Sequence, residues 1–369
     1  MKVLHINSNY VYTKLHQLLV KHLSKHGIKN SVFVPVNTEK EYDLFGDVIV
    51  KNCFNNIDRY CFPIKQKKII TSVESSFDVS SYDIIHAYTL FTDGNCARSL
   101  SKKYSIPYVV AVRNTDLNFF FKKRVLLRKT GVRILQDAER VFFLSESYRE
   151  QVITQYVPKQ LQEEIRRKSK IIPNGIDDFW FDNLYKSNRT LNSNSIRAVF
   201  AGSIDKNKNV LTTQKAINLL NEKYNIILTV VGRVANKTEY NELMKNGKVN
   251  YIPHKEKEEL LNIYRNNDFF IMPSIYESFG LVYAEAMSQG LPVLYSKGQG
   301  FDKQFPEGVV GYHVESRSPS SVAAGIEQII ENYTELSANT IKAVEKFNWK
   351  RISETYKSIY FSICNDRNV

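Results

Sequence analysis

Residues 268–292, DFFIMPSIYESFGLVYAEAMSQGLP, decide the fold. They begin with an apolar run, Asp268–Met272, which is typical of a buried parallel strand. A loop containing Gly280 follows, and then a helical segment of about ten residues that ends at Gly290, with Pro292 beyond it as helix C-termini favour. A strand, a loop and a helix in this order form the repeating unit of a parallel sheet that is covered by helices.

The same alternation of strand-length apolar runs and helix-period segments extends over nearly the whole chain, which predicts an α/β fold with two doubly wound sheets. The Asn- and Ser-rich stretch Lys186–Ser195 is predicted to be an interdomain connection. The predicted strands are Lys2–Ser8, Ser31–Val36, Val48–Lys51, Asp83–Ala87, Tyr108–Arg113, Val141–Ser145, Lys170–Pro173, Arg197–Gly202, Asn225–Val231, Asn250–Ile252, Asp268–Met272 and Pro292–Tyr295.

Length and composition restrict the class of protein. A chain of 369 residues with 43% hydrophobic and 24% charged residues is typical of two globular domains and not of a disordered chain. The apolar runs are too short to span a bilayer, and the N-terminal residues do not resemble a signal peptide, so we expect a cytoplasmic location. The four cysteines lack metal-site spacing, which argues against a disulfide framework or a zinc site.

The net charge of +13 is concentrated in the first half of the chain. Residues 1–170 contain 28 Lys and Arg against 16 Asp and Glu, whereas the remainder contains 23 against 22. Such a surface attracts phosphates, nucleic acid or an anionic membrane. The stretch Leu117–Gln136 holds six cations, no acid and three consecutive phenylalanines, a composition typical of a membrane-surface element. However, Lys123 falls between Phe119 and Leu127 on a helical wheel, so a solvated helix is an open alternative.

The loop and helix of residues 273–290 suit an anionic ligand. Parallel sheets bind ligands beyond the carboxyl ends of their strands, and a helix N-terminus there offers unpaired N–H groups. Glu277 lies before the helix and Glu285 within it, so the two acids suit the sugar and the ribose of one ligand; alternatively, they form a helix cap and a surface ion pair. The absence of a G-x-G-x-x-G loop after the first strand, and of a P-loop motif anywhere, disfavours dinucleotide oxidoreductases and P-loop NTPases.

This region resembles the retaining glycosyltransferases of family 4. Glu277 and Glu285 match the E-x7-E element of that family, and so do the SFGL between them and the segment EAMSQGLP that begins at Glu285. The resemblance implies the GT-B fold, with two facing Rossmann-like doubly wound domains. Residues 1–175 would form the acceptor domain, completed by a C-terminal helix at about 350–369 that packs back on it, and residues 176–349 the donor domain. Further matching segments are Asp83–Ala87, Ile106–Val110, Pro173–Asp177, Phe200–Asn209, Val230–Gly232, Asn250–His254 and the Trp349 segment.

The resemblance also implies roles for individual residues. Lys208 would neutralise the donor diphosphate, Glu277 would contact the donor sugar, and Glu285 would bind the ribose hydroxyls. With these, the donor site is predicted to include Gly202, Ser203, Gly232, Ile252, Pro253, His254, Ser278, Phe279, Gly280 and Leu281. We expect Glu277, Lys208 and Arg113 to be the catalytic residues, since a strand-end arginine can hydrogen-bond the donor sugar or an acceptor phosphate.

The sequence departs from the family pattern in three places. Ser203 stands where many members have arginine, and residues 8–12, SNYVY, lack the glycines that many members have after the first strand. Arg113 follows a strand after which members often have histidine; besides a catalytic role, an ion pair with Asp116 is an equal alternative for it. We expect Asn9, Tyr10 and Asp116 to lie on the acceptor side.

The function that the resemblance implies is transfer of a hexose-type sugar from a UDP- or GDP-sugar to a glycan or lipid-linked acceptor in cell-surface polysaccharide biosynthesis. The departures leave an alternative, a non-catalytic GT-B homologue that binds nucleotide sugars as an accessory subunit. The family requires no cofactor, and neither a D-x-D motif nor a histidine cluster predicts a metal site. The basic first half is expected to contact the inner membrane face, and no nucleic-acid partner is expected.

Overall fold

The first sheet has seven parallel strands in a computed structural model that describes residues 1–38, 40–245 and 248–366. The strand order is β3-β2-β1-β4-β5-β6-β7, so the order reverses between β1 and β4. Loops after these two strands leave on opposite sides, which opens a crevice at the carboxyl edge. The strands are β1 Lys2–Ile6, β2 Lys29–Val36, β3 Asp47–Asn52, β4 Ile84–Ala87, β5 Tyr108–Val112, β6 Arg140–Phe143 and β7 Ser169–Ile171.

Helices cover both faces of this sheet, because its central strands are continuous apolar runs that must be buried on each side. The first helix begins where the Thr13 hydroxyl accepts the N–H of Leu15. A π-helical turn, Asp116–Phe121, follows β5. The helices are α1 Lys14–Lys25, α2 Phe62–Ser76, α3 Thr92–Tyr104, α4 Arg128–Asp137, α5 Glu146–Tyr156 and α6 Lys159–Lys168; short 3₁₀ turns lie at Ile57–Arg59, Val79–Ser81 and Val125–Leu127.

The second sheet has the order β10-β9-β8-β11-β12-β13, again with parallel strands, and reverses between β8 and β11. Its strands are β8 Ile196–Ala201, β9 Ile226–Val231, β10 Val249–Ile252, β11 Phe269–Ile271, β12 Val293–Ser296 and β13 Gly311–Val314. Its helices are α7 Asp178–Asp182, α8 Val210–Leu219, α9 Lys237–Lys245, α10 Lys257–Arg265, α11 Leu281–Ser288, α12 Pro319–Glu331 and α13 Tyr333–Ala343, which a 3₁₀ turn, Val344–Phe347, follows.

The chain forms two units, one comprising Met1–Gly175 and the segment from Trp349 onward, the other Ile176–Asn348. Trp349 therefore lies in the first unit, although it was predicted in the second domain. The last helix, α14 (Trp349–Asn365), packs on the first sheet beside Val3 and Phe142, which confirms the predicted return of the C-terminal helix.

The prediction that Lys186–Ser195 is the connection between the two domains is wrong, although the stretch lies between β7 and β8 along the chain. This stretch lies inside the second unit. Arg189 is buried there, and its guanidinium donates to the carbonyls of Gln289 at 2.8 Å and Asn267 at 2.7 Å. A polar composition suggested an exposed linker, whereas one arginine satisfies the carbonyls that end two helices.

Candidate functional site

The loops that follow β8 and β11 are joined to each other at the carboxyl edge of the second sheet. The N–H of Ile275 donates to the carbonyl of Asn207 at 2.8 Å. The side-chain amide of Asn207 also forms two hydrogen bonds with the backbone of Tyr276, each 3.0 Å long. These three bonds hold residues 202–209 against residues 273–280, the two segments that carry the family motifs.

Asp205 organises the first of these loops. Its Oδ1 accepts the backbone N–H of Lys208 at 2.8 Å, its Oδ2 accepts the hydroxyl of Ser203, and its carbonyl accepts the N–H of Asn209 at 3.2 Å. Ser203 thus orients Asp205 at the position where many family members have arginine. The loop closes directly before α8 and leaves the ammonium of Lys208 directed toward the second loop.

Lys208 and Glu277 meet at the centre of the two loops. The Nζ atom of Lys208 lies 2.6 Å from Oε2 of Glu277. Glu277 is 7% exposed, and its Oε1 accepts the N–H of Ser278 at 3.0 Å, while its own N–H donates to Gln299 at 3.0 Å. A short contact between opposite charges, largely shielded from water, is a strong hydrogen bond that fixes both side chains.

The N-terminus of α11 lies directly after Glu277. Gly280 precedes the helix with φ +76°, and a Cβ atom there would lie 2.3 Å from the ring of Tyr283, so this position requires glycine. The N–H groups of Phe279, Gly280 and Leu281 stand at the start of the helix, outside its internal ladder of hydrogen bonds. This end of α11 therefore presents donors and a positive dipole suited to an anion.

A cavity of about 370 Å³ lies at the carboxyl ends of β8 and β9. Gly202 and Gly232 form its floor, where a Cβ on Gly232 would lie 1.8 Å from the carbonyl oxygen of Gly202. The N–H of Gly232 also donates to the carbonyl of Ile252 at 3.1 Å. Among the predicted donor residues, the cavity lining includes Gly202, Ser203, Gly232, His254 and Glu285, whereas Lys208, Ile252, Pro253 and residues 277–281 do not line it.

Glu285 borders this cavity with a carboxylate that accepts no hydrogen bond from the described residues of the protein. Burial raises the pKa of Glu285 to about 7, and the negative charge of Asp177 contributes to the same shift. Arg233 lines the same cavity, and no ion pair joins its guanidinium to a carboxylate in the parts of the chain that the structure describes. Lys255 also lines the cavity, but its ammonium pairs with Glu259 at 2.6 Å, so Glu285 and Arg233 are the acceptor and the cation that the cavity offers to a ligand.

In the first unit, Arg113 follows β5 as predicted. Its Nε donates to the carbonyl of Tyr88 at 3.2 Å, and its NH1 atom lies 3.4 Å from Oδ1 of Asn174. The Arg113 backbone N–H, not its guanidinium, donates to Asp116, at 2.8 Å. Arg113 and Asp116 are therefore joined through the backbone N–H of Arg113, and not through the ion pair that was the predicted alternative.

Two residues predicted on the acceptor side lie in the interior of the first unit instead. Asp116 is buried, and its carboxylate accepts the backbone N–H groups of Leu90 at 3.0 Å and Phe91 at 3.2 Å. Tyr10 is also buried, and its hydroxyl donates to the carbonyl of Phe45 at 2.8 Å. Both predictions need correction, since these polar groups satisfy the backbone. Asn9, in contrast, is partly exposed and lines a cavity.

The family models match both halves of the chain. The model described as "Glycosyltransferase Family 4" matches residues 17–178, and the model described as "Glycosyl transferases group 1" matches residues 182–347. The chain belongs to glycosyltransferase family 4. An uncharacterized glycosyltransferase of Methanocaldococcus jannaschii is 26% identical over 309 residues, 76% of each chain. D-inositol 3-phosphate glycosyltransferase of Paenarthrobacter aurescens is 24% identical over 293 residues, which are 73% of this chain and 70% of that one.

Solved structures show that this family 4 glycosyltransferase has the GT-B α/β fold. Sucrose-phosphate synthase from Thermosynechococcus elongatus superimposes with a TM-score of 0.74 at 17% identity, over 98% of this chain and 99% of that one. HepE from Anabaena in complex with UDP-glucose superimposes with a TM-score of 0.67 at 16% identity, over 98% of this chain and all of that one. The predicted fold class is confirmed.

Sequence reasoning missed several residues that build the site of this glycosyltransferase. Asp205 and Asn207 lie in the polar run DKNKN, where no pattern distinguishes a loop-spanning side chain from a solvated one. Gln299 is distant in sequence and has no motif. Arg233 had a usable signal, because it directly follows Gly232 at a strand end.

Among the described residues, no helix is long and apolar enough to cross a membrane, and no group of three His, Cys, Asp or Glu could hold a metal ion.

Proposed function

We propose that this protein is a retaining glycosyltransferase that transfers a hexose from a UDP- or GDP-sugar to a glycan or lipid-linked acceptor in cell-surface polysaccharide biosynthesis. The observation that carries the proposal is the contact of 2.6 Å between Lys208 and Glu277, held between two joined loops beside the N-terminus of α11. Support for the donor class comes from HepE, whose structures contain UDP and UDP-glucose.

The donor-binding cavity supplies the remaining recognition. The carboxylate of Glu285 accepts hydrogen bonds from the ribose hydroxyls, and the backbone near His254 flanks the base. Lys208 and the first N–H groups of α11 contact the diphosphate, where negative charge grows as the sugar departs. Since these groups provide the positive charge, we propose that transfer needs neither a metal ion nor a cofactor, and that EDTA leaves the rate unchanged.

In the proposed reaction, an acceptor hydroxyl attacks the anomeric carbon on the face that the diphosphate leaves. The bond from the anomeric carbon to the diphosphate oxygen breaks, the new glycosidic bond forms, and the departing phosphate oxygen takes the hydroxyl proton. Glu277 positions Lys208 and contacts the donor sugar. Arg113 is proposed to contact the donor sugar or an acceptor phosphate, while Asn9 remains on the acceptor side.

We further propose that the protein works at the cytoplasmic face of a membrane. The charge excess of the first 170 residues and the exposed apolar side chains Leu126 and Tyr60 support contact with an anionic surface. The expected partners are therefore the nucleotide sugar, the acceptor and anionic lipid, and not nucleic acid.

The test is a panel of UDP- and GDP-sugars, with release of nucleoside diphosphate as the readout and the anomeric configuration of the product read by proton NMR. We expect turnover of at least one donor with retained configuration, and loss of turnover in Glu277→Ala but not in the matched surface variant Glu222→Ala. Inverted configuration contradicts the retaining mechanism. Tight donor binding without turnover over a broad acceptor set indicates a non-catalytic binding subunit instead.

A further inference from the structure

A second cavity, of about 430 Å³, lies at the carboxyl edge of the first sheet and is not used by the donor chemistry. Ser8 and Asn9, which follow β1, line it together with Val36 at the end of β2. Thr92, the first residue of α3, and Thr115, which follows β5, complete this edge. The cavity therefore lies where the strand order reverses, the place at which open parallel sheets bind ligands.

Three cations, Arg59, Lys65 and Arg124, line this cavity. Within residues 1–38, 40–245 and 248–366, none of them forms an ion pair with a carboxylate. Lys65 lies over the ring of Phe54 with its Nζ 4.5 Å from the centroid, and Arg124 lies 5.5 Å from the centroid of Phe119. Aromatic faces hold these cations without neutralising them.

The carboxylate of Asp93 acts on the charge of Lys65, but the two groups form no ion pair in the described part of the chain. Asp93 is buried, and both of its carboxylate oxygens accept the N–H of Ser8, at 3.2 and 3.3 Å. Burial raises the pKa of Asp93 to about 7, so the group is partly protonated near neutral pH. A cavity with three unneutralised cations and the N-terminal end of α3 suits a phosphate or diphosphate.

An adjoining cavity of about 470 Å³ shares Tyr60, Phe62, Arg124 and Leu127 with the first. Its other lining residues are mainly apolar: Cys61, Pro63, Val125 and Leu126, with Lys123 at the edge. The apolar side chains at its rim face water to an unusual degree, because Leu126 is 96% exposed and Tyr60 is 82% exposed. Large apolar side chains that stand in water beside cations mark a surface for an apolar partner with negative charge.

We propose that the two adjoining cavities form the acceptor site for a sugar that is joined through a phosphate or diphosphate to a long apolar chain. The phosphate binds among Arg59, Lys65 and Arg124, and the chain passes between Tyr60 and Leu127 into the apolar cavity and toward a bilayer. This proposal rests on the proposed function and names the chemistry of its acceptor. It also accounts for the basic, phenylalanine-containing segment that the sequence left open, since Phe119 and Phe120 line the phosphate cavity.

The test measures binding of decyl phosphate to the full chain by isothermal titration calorimetry, below the critical micelle concentration. Inorganic phosphate supplies the head group without the chain, and decyl glucoside supplies the chain without the charge. Lys65→Ala and Arg124→Ala each remove one cation, and Leu126→Ser removes the most exposed apolar side chain. The matched controls are Lys170→Ala, an exposed cation on the same unit that pairs with no carboxylate among the described residues, and Leu219→Ser, an exposed leucine on the other unit.

We expect decyl phosphate to bind at least about tenfold more tightly than either partial ligand, and each cavity variant to weaken it by about tenfold. Both control variants should bind as the wild type does. Equal binding of decyl glucoside, an equal effect of Lys170→Ala, or no binding of decyl phosphate overturns the proposal. Thermal unfolding of each variant identifies any loss of folding, and Arg124→Ala replaces Lys65→Ala if the latter unfolds.

The donor panel is run on the same wild-type preparation, so the two proposals fail separately. Donor turnover without decyl phosphate binding contradicts only this acceptor site. Decyl phosphate binding without turnover of any donor contradicts only the proposed transferase activity.

Discussion

A double-mutant cycle on Lys208 and Glu277 tests the contact on which the proposed chemistry depends. In Lys208→Met the side chain keeps most of its volume, but Oε2 of Glu277 loses the ammonium that lies 2.6 Å away. Glu277 is 7% exposed, so water replaces this partner poorly, although the 24% exposure of the lysine side chain screens part of the interaction. We expect a loss of about 1–3 kcal/mol of unfolding free energy, since the variant leaves a buried carboxylate without its cation.

The second arm of the cycle separates stability from catalysis. Glu277→Gln keeps the shape of the acid without its charge, and the double variant Lys208→Met/Glu277→Gln contains no uncompensated charge. The double variant should therefore recover about 1–2 kcal/mol relative to the sum of the single variants. The kcat of all three should fall by about 100-fold or more, because the diphosphate loses its lysine or that lysine loses its position.

The assays are denaturant unfolding for stability and nucleoside diphosphate release for turnover. Lys206→Met, an exposed lysine of the same loop, is the matched control and should resemble the wild type in both. A coupling energy below about 0.5 kcal/mol would refute the assigned contact. A Lys208→Met enzyme with wild-type kcat would refute the assigned role of the lysine.

Three further predictions follow from burial and close approach. Burial raises the pKa of Glu285 to about 7, so its carboxylate form predominates only above that pH. Donor affinity should therefore be about tenfold weaker at pH 6 than at pH 8. The same pH profile in a Glu285→Gln variant would contradict this. Gly232→Ala places a Cβ 1.8 Å from a backbone oxygen, and it should lower the free energy of denaturant unfolding by about 3 kcal/mol. In Gly202→Ala the nearest contact of the Cβ is a methionine sulfur at 3.3 Å, so the loss should be less than about 1 kcal/mol. Equal losses in the two variants would contradict the close approach at Gly232. Burial lowers the pKa of His5 to about 4, so its neutral form stabilises the fold above pH 6.5. Up to about 3 kcal/mol of unfolding free energy is lost as the pH falls toward 4. His5→Phe should reduce this acid-induced loss, and an unchanged slope of stability against pH would count against the assignment.

The sequence pattern predicted most of the fold because buried parallel strands are continuous apolar runs. Each of the predicted strands overlaps an observed one. Among the described residues, β13 (Gly311–Val314) is the observed strand that was not predicted. That strand is short, begins with glycine and contains a tyrosine and a histidine that are only partly buried. Gly311 is needed because a Cβ there would lie 1.8 Å from the carbonyl oxygen of Val293 on the neighbouring strand. Such a tertiary requirement has no local pattern.

The candidate site was predictable to the extent that it follows motifs. Lys208 and Glu277 are 69 residues apart, and the family resemblance, not any spacing, indicated that they belong to one site. Tyr10 and Asp116 were assigned wrongly because a polar residue after a strand is as suitable for a cleft as for satisfying buried backbone groups. Which of these occurs depends on the packing of the neighbouring turn.

Titration with a nucleoside diphosphate and its nucleoside tests the central claim, that the second-unit cavity and the Lys208 contact bind the donor. UDP and uridine are compared, or GDP and guanosine if the donor panel selects a GDP-sugar. The account predicts that Lys208→Met weakens diphosphate binding by about tenfold or more while nucleoside binding is unchanged, and that Glu285→Gln weakens both. Diphosphate binding by Lys208→Met equal to that of the wild type, or no nucleotide binding by the wild type, would contradict it.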